Sequence, residues 1–287
     1  MNLKTGIAAS IGAALCFTIM DAFVKSLGHI GTGELTFFRG LIGLAFLPVL
    51  AHFSRTPVFS GKNRLLLLLR GLFGGSGIIF VFLSIQGLTL GDASILTQLS
   101  AFFMCILSPL FLKEQWPSHV LPGLIMITAG TFLVLQIWNY SAFNVYALYG
   151  LAGAVCSAAA YITIGLLGEK GGHSDIEIIF YFQLCSMLLG GILTASDFVL
   201  PSGIEWLWIG GMSFSALAAQ MLLTWAYQHT HSLVVSFTMY TGILFHVWFG
   251  WILWDETLTL YSEIGGVLIL AGSAFLLLLK QKVSSRI

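Results

Sequence analysis

Charge is what this sequence has least of. Only 8% of its 287 residues are Asp, Glu, Lys or Arg, whereas 57% are hydrophobic. A soluble domain carries about 25% charged residues. These side chains could not cover a water-facing surface, which excludes a soluble helical protein and makes lipid the solvent. No polar run is long enough to form a soluble domain. Cysteine is limited to Cys16, Cys105, Cys156 and Cys185, all inside apolar stretches and without paired spacing. Cysteine behaves as a small hydrophobe in such places, so neither a disulfide nor a metal site is expected. Catalytic signatures are missing as well: there is no His-Glu-x-x-His, no Gly-x-Ser-x-Gly and no Walker loop. The sequence therefore predicts no enzyme and no cofactor. Lys280, Lys282 and Arg286 form an ordinary membrane flank rather than a nucleic-acid site.

What is present is a series of apolar runs. A crossing needs about 20 residues, and reading between polar punctuation predicts ten spans. They lie at approximately 6–27, 34–51, 68–87, 92–112, 118–137, 147–168, 176–196, 206–227, 233–254 and 261–279. With a cytoplasmic N-terminus, ten of the twelve cations fall inside, Arg70 among them at the start of span 3. Lys25 and Arg39 remain in the outer half. Asp92, Asp197, Glu205, Asp255, Glu256 and Glu263 fall outside. This positive-inside bias predicts that both termini are cytoplasmic.

The chain also repeats itself. Shifted by 142 positions, residues 86–135 fall on 228–277 without a gap. Gln86 meets Gln228, Ser94 meets Ser236, Glu114 meets Glu256, Gly123 meets Gly265, and Ala129-Gly130 meets Ala271-Gly272. Five spans per copy make the second copy enter the membrane in the opposite sense. Inverted repeats supply two conformations related across the membrane, as alternating access requires. The predicted fold is all-α integral membrane, ten transmembrane helices in two inverted five-helix repeats. The copies occupy 1–137 and 147–287, with an uncharged linker at 138–146. A duplicated scaffold or a channel remains the alternative of another class.

Leu112-Lys113-Glu114 and Trp254-Asp255-Glu256, each followed by Gly123 or Gly265 and by Ala129-Gly130 or Ala271-Gly272, form a specific signature. The first half adds Asp21-x-x-x-Lys25-x-Leu27-Gly28 and Glu34-x-x-x-Phe38-Arg39. The pattern resembles paired EamA-type units of the drug/metabolite transporter superfamily, over about 6–279. It is similar to a bacterial branch of amino-acid exporters and S-adenosylmethionine carriers. That resemblance implies a central cavity lined by spans 1, 3, 4, 6, 8 and 9 in a bacterial inner-membrane protein. The family often has a proline thirteen residues before the Glu; here Ala101 and Ile243 take those places.

Charges inside a membrane cost about 2.5–3.5 kcal/mol each on insertion scales, so each one needs a reason. Asp21 and Lys25 stand one helical turn apart and are expected to pair, with Glu34 and Arg39 close enough to join them. Such a cluster is either an outer gate with Asp21 as a coupling site or an ion-pair network pinning spans 1 and 2. Substrate contacts are expected from largely uncharged groups: Phe82, Gln98, Phe102, Ser157, Tyr161, Gln220, Trp225, Tyr240 and His246. Each of them could instead serve core packing or face lipid. Amides, hydroxyls and aromatic walls suit a zwitterionic amino acid. With no lone charge expected in the pocket, broad selectivity follows, aromatic and apolar amino acids included. The expected function is amino-acid export by a monomer in the lipid bilayer, with uptake or exchange of S-adenosylmethionine as the alternative substrate reading.

Overall fold

A computed structural model of the chain describes residues 3–54, 59, 62–111, 121–135, 144–170, 172–230, 234–235 and 238–284. Among the described residues the regular structure is helical, without strands. Among the described residues six helices are long and apolar enough to cross a membrane. They are α1 (Leu3–Ser26), α2 (Thr32–Ser54), α3 (Arg64–Gly87), α7 (Val145–Lys170), α8 (Asp175–Leu193) and α9 (Glu205–His229). The other described helices are α4 (Leu90–Gln98), α5 (Ser100–Phe111), α6 (Leu121–Leu135), α10 (Thr241–Trp254) and α11 (Leu260–Ser284). The turn at Lys113-Glu114 and most of the linker lie outside the described residues.

The surface is arranged for lipid. Leu65, Leu110, Ile192, Leu244 and Val267 face outward, while Asp21, Arg39, Arg70, Gln183, Gln220 and His246 are buried. Apolar burial drives little association between helices in a bilayer, so close backbone packing has to serve instead. The repeated glycines supply it. A Cβ on Gly130 would lie 2.6 Å from the Gly265 carbonyl, and one on Gly265 would lie 2.6 Å from the Gly130 carbonyl. A Cβ on Gly272 would come 2.9 Å from the Gly123 carbonyl. Along α6 the partners descend along α11, so the two helices cross antiparallel. The other extensive pairings are α3 with α7, α1 with α9 and α2 with α8.

Two expected spans are not continuous helices. Span 4 breaks at Leu99 into α4 and α5, where the Leu99 amide bonds back to Leu96 instead of one residue further. Span 9 turns at Met239 and Tyr240 before α10 begins, and the Gly242 amide bonds Met239. Proline is not the cause, since Ala101 and Ile243 occupy the family's usual proline sites. Threonine is. Thr97 Oγ1 donates to the Ala93 carbonyl at 2.7 Å, Thr238 Oγ1 to Val234 at 2.8 Å and Thr241 Oγ1 to Thr238 at 2.8 Å. Hydroxyls that bond back along the ladder bend helices in this way. The two breaks also touch, because the Gln98 amide donates to the Met239 carbonyl at 2.8 Å. The Met239 carbonyl thus accepts twice, from the Gly242 amide within its own turn and from Gln98 across the two halves.

Candidate substrate-binding cavity

A central cavity lies between the helices, with about 100 Å³ open to the centres of water molecules. Its wall takes side chains from α1, α3, α4, α5, α7, α8, α9 and α10. Both halves of the sequence contribute. Of the expected substrate residues, Gln98, Ser157, Tyr161, Gln220 and His246 lie on this wall, together with Asp21. The Gln220 amide donates to Thr224 at 3.0 Å, which holds its head group in place.

The other four expected residues lie elsewhere. Phe82 is fully buried in a core with Met20, Leu27 and Ile85. Tyr240 is buried with Leu96 and Ile243, and Phe102 packs against that same cluster and edge-on to Phe103. The Trp225 ring stacks on His229 at 4.8 Å. Aromatic abundance hid this from the sequence, because helical spacing alone does not say which face of a bent span turns inward.

Asp21 pairs differently from expectation. Its carboxylate meets His246 Nε2 at 2.8 Å, while Lys25 pairs with Glu256 and donates to the Leu88 carbonyl at 2.7 Å. Asp21 and Lys25 do not pair with each other because each has a better-placed partner from the second half of the chain. Glu34 accepts from the Val199 amide at 2.6 Å. The expected four-residue cluster is therefore divided. Lys25 and Glu34 tie helix ends together across the two halves, and Asp21 faces the cavity.

Donor and acceptor counting identifies the charge state of the Asp21–His246 pair. His246 Nδ1 lies 2.7 Å from the Gly242 carbonyl and 3.0 Å from Thr18 Oγ1. The Thr18 hydroxyl already donates to the Ala14 carbonyl at 3.0 Å. Both neighbours of Nδ1 are thus acceptors, so Nδ1 carries a proton. The contact between Nε2 and Asp21 Oδ2 needs a second proton, held on one atom or the other. The pair is net neutral and contains one shared, transferable proton.

Arg70 is a cavity-lining residue that the sequence reading did not name. The expected span began at 68, which put Arg70 at its cytoplasmic end; α3 begins at Arg64 and carries Arg70 into the bundle. It is 1% exposed and lines the cavity. Its guanidinium lies 4.4 Å from the Phe182 ring centre, and that of Arg39 lies 4.8 Å from the same ring. A charge therefore does stand on the cavity wall, contrary to the expectation of a pocket without one. Among the described residues no group of three His, Cys, Asp or Glu side chains could hold a metal ion.

Comparison with known proteins places this architecture. The model of the EamA-like transporter family matches twice, over residues 4–136 and 144–278. The chain belongs to the EamA-like transporter family. Its EamA relatives include the pseudopaline exporter CntI of Pseudomonas aeruginosa, 34% identical over 93% of this chain and 94% of that protein. An uncharacterized transporter of Helicobacter pylori is 26% identical over 95% of this chain and 94% of its own length. Human solute carrier family 35 member G1 is 23% identical over 93% of this chain and 77% of that protein. A solved crystal structure matches with a TM-score of 0.70 at 17% identity, covering 98% of this chain and 99% of that one. That likeness speaks for the fold. EamA members are transporters rather than enzymes, and this chain is a multi-pass membrane transporter of the drug/metabolite superfamily.

Proposed function

We propose that this chain exports amino acids and amino-acid-like metabolites across the bacterial inner membrane by alternating access. The observation that carries the reading is a cavity walled by polar side chains from both halves, with the halves joined across it by Asp21 and His246. Likeness to an exporter of pseudopaline over nearly the whole chain supports the direction of transport. A small-molecule substrate and the lipid bilayer are its partners, and one copy, as a monomer, contains a whole cavity.

The reading includes ten crossings in two inverted repeats, divided at 138–146, with both termini cytoplasmic. Each broken pair, α4 with α5 and the 234–254 segment, then counts as one crossing. Antiparallel packing of Gly130 on Gly265 supports inversion, because equivalent helices related by an in-plane axis must run oppositely. In this arrangement Lys25–Glu256, Glu34–Val199 and His29–Glu205 all lie at the external ends of their helices. They join the two halves there and act as the outer gate, which is closed in this conformation.

The Asp21–His246 proton makes coupling to a proton gradient the natural drive. A substrate and a proton competing for Asp21 would exchange for one another. The cationic wall at Arg70 weighs against S-adenosylmethionine, whose sulfonium and ammonium groups would be repelled. The test is flux of labelled amino acids in proteoliposomes. Saturable uptake accelerated by substrate on the far side supports a carrier, and linear flux without counterflow points to a channel.

A further inference from the structure

We infer that the cavity is built for substrates whose carboxylates outnumber their ammonium groups, anchored by the Arg70 guanidinium and placed with their ammonium toward Asp21. The inference rests on the transport reading of this cavity and names its substrate class.

The reasoning begins with unpaired donors. Arg70 Nε and all three guanidinium nitrogens of Arg39 are buried without a hydrogen-bond partner. The ion pairs of the described residues use Lys25, His29, His173 and His246, and neither arginine enters one. Their shared support is the face of Phe182, an attraction that offsets only part of the cost of removing a guanidinium from water. Arg70 lines the cavity together with Phe182, and Arg39 lies off its wall.

The charge count does not close without a ligand. Asp21 and His246 cancel each other, because two protons are required by their three contacts. Gln98, Ser157, Tyr161 and Gln220 are neutral as amides and hydroxyls. The Arg70 guanidinium is left over on the cavity wall. A neutral amino acid brings one carboxylate and one ammonium and leaves that excess unchanged. An additional carboxylate reduces it, and its two oxygens match the planar fork of a guanidinium.

The ammonium has its own place. Asp21 Oδ1 is buried without a partner even though Oδ2 is engaged. Asp21 lies in the next-to-last turn of α1 and Arg70 in the second turn of α3. With each helix crossing once in the same sense, they stand toward opposite ends of the cavity. An acidic amino acid or a longer amino polycarboxylate spans such a site in one orientation.

Thermal unfolding of the purified chain in detergent tests this directly, with L-glutamate, L-glutamine, citrate and glucose 6-phosphate as probes. A ligand that binds the folded state raises Tm in a saturable way. The expected result is a half-saturating concentration about tenfold lower for glutamate than for its neutral isostere glutamine. Arg70→Gln removes that preference and Lys4→Gln, at an exposed position, retains it. Ligand-free Arg70→Gln unfolds at the native temperature or above it, because an uncompensated cation has been removed. Equal response to glutamate and glutamine overturns the inference, as does the absence of any shift with either carboxylate. A shift with the phosphate ester alone overturns the carboxylate assignment. A drop of several degrees in ligand-free Arg70→Gln with the glutamate preference intact assigns Arg70 to structure, and this too contradicts it. If Arg70→Gln cannot be purified, the native glutamate-to-glutamine ratio decides. Glutamate binding without flux in proteoliposomes overturns the carrier reading and leaves this assignment standing.

Discussion

At the scale of single residues, the proposed function rests on buried polar groups, where the membrane is least tolerant. A buried ion pair contributes little net stability, since desolvation offsets most of the attraction, but removing one partner strands the other. Asp21→Ala is therefore expected to cost about 3–5 kcal/mol, read as a lowered Tm in detergent. Asp21→Asn keeps the shape and removes the transferable proton. It should fold and retain counterflow while losing its response to an imposed pH gradient; an unchanged response would remove Asp21 from coupling. The sequence showed Asp21 as a residue requiring an explanation, and His246 as one polar group among apolar neighbours. It could not show that they meet, because the contact joins positions 225 apart. Arg70 was missed for a related reason. The seven positions after Asn63, all leucine or arginine, put Arg70 at the cytoplasmic end of its span, and the earlier start of α3 carries it deeper into the bundle.

At the scale of elements, the breaks in spans 4 and 9 matter most. Their two halves meet through Gln98 and Met239, so each break positions the other. Thr97→Val and Thr238→Val remove the hydroxyls that draw carbonyls out of line while keeping side-chain volume. Both are expected to straighten their helices and to lower the maximal rate of transport by about tenfold, a cost of about 1.4 kcal/mol. Unchanged flux with unchanged stability would make the bends incidental. Apolar run length located these spans, and the 142-residue shift made them counterparts. Back-bonding threonines are hard to recognise in advance, because the same hydroxyl in a straight helix satisfies itself equally well. The glycine pair is simpler. Gly130→Leu meets the Gly265 carbonyl and is expected to cost about 1–3 kcal/mol or more through overpacking, measurable as a fall in Tm. The repeat had already marked these glycines, though their pairing with one another required the antiparallel crossing of α6 and α11.

At the scale of the whole molecule, the chain joins two EamA units around one polar cavity and presents apolar residues to lipid. That design was legible early: scarce charge, a repeat and the Lys113-Glu114 and Asp255-Glu256 signatures led to the family. Cavity-lining residues were only partly legible, because four aromatic positions pack elsewhere and an arginine at the start of span 3 lines the cavity. Closure is a property of the whole as well. Lys25–Glu256 joins the halves at one end, so Glu256→Gln should favour opening at that end and raise labelling of a cysteine placed at Ser94 by a membrane-impermeant thiol reagent. Equal labelling with and without the substitution would place the gate elsewhere.

Counterflow in proteoliposomes tests the central claim of a carrier most directly. Vesicles loaded with unlabelled amino acids, L-glutamate among them, receive the same labelled compound at low concentration outside. The account predicts saturable entry that overshoots its equilibrium level, that competing amino acids inhibit, and that Arg70→Gln and Asp21→Ala impair. Entry that rises linearly with concentration without overshoot, or no entry of any member of the set, would contradict it.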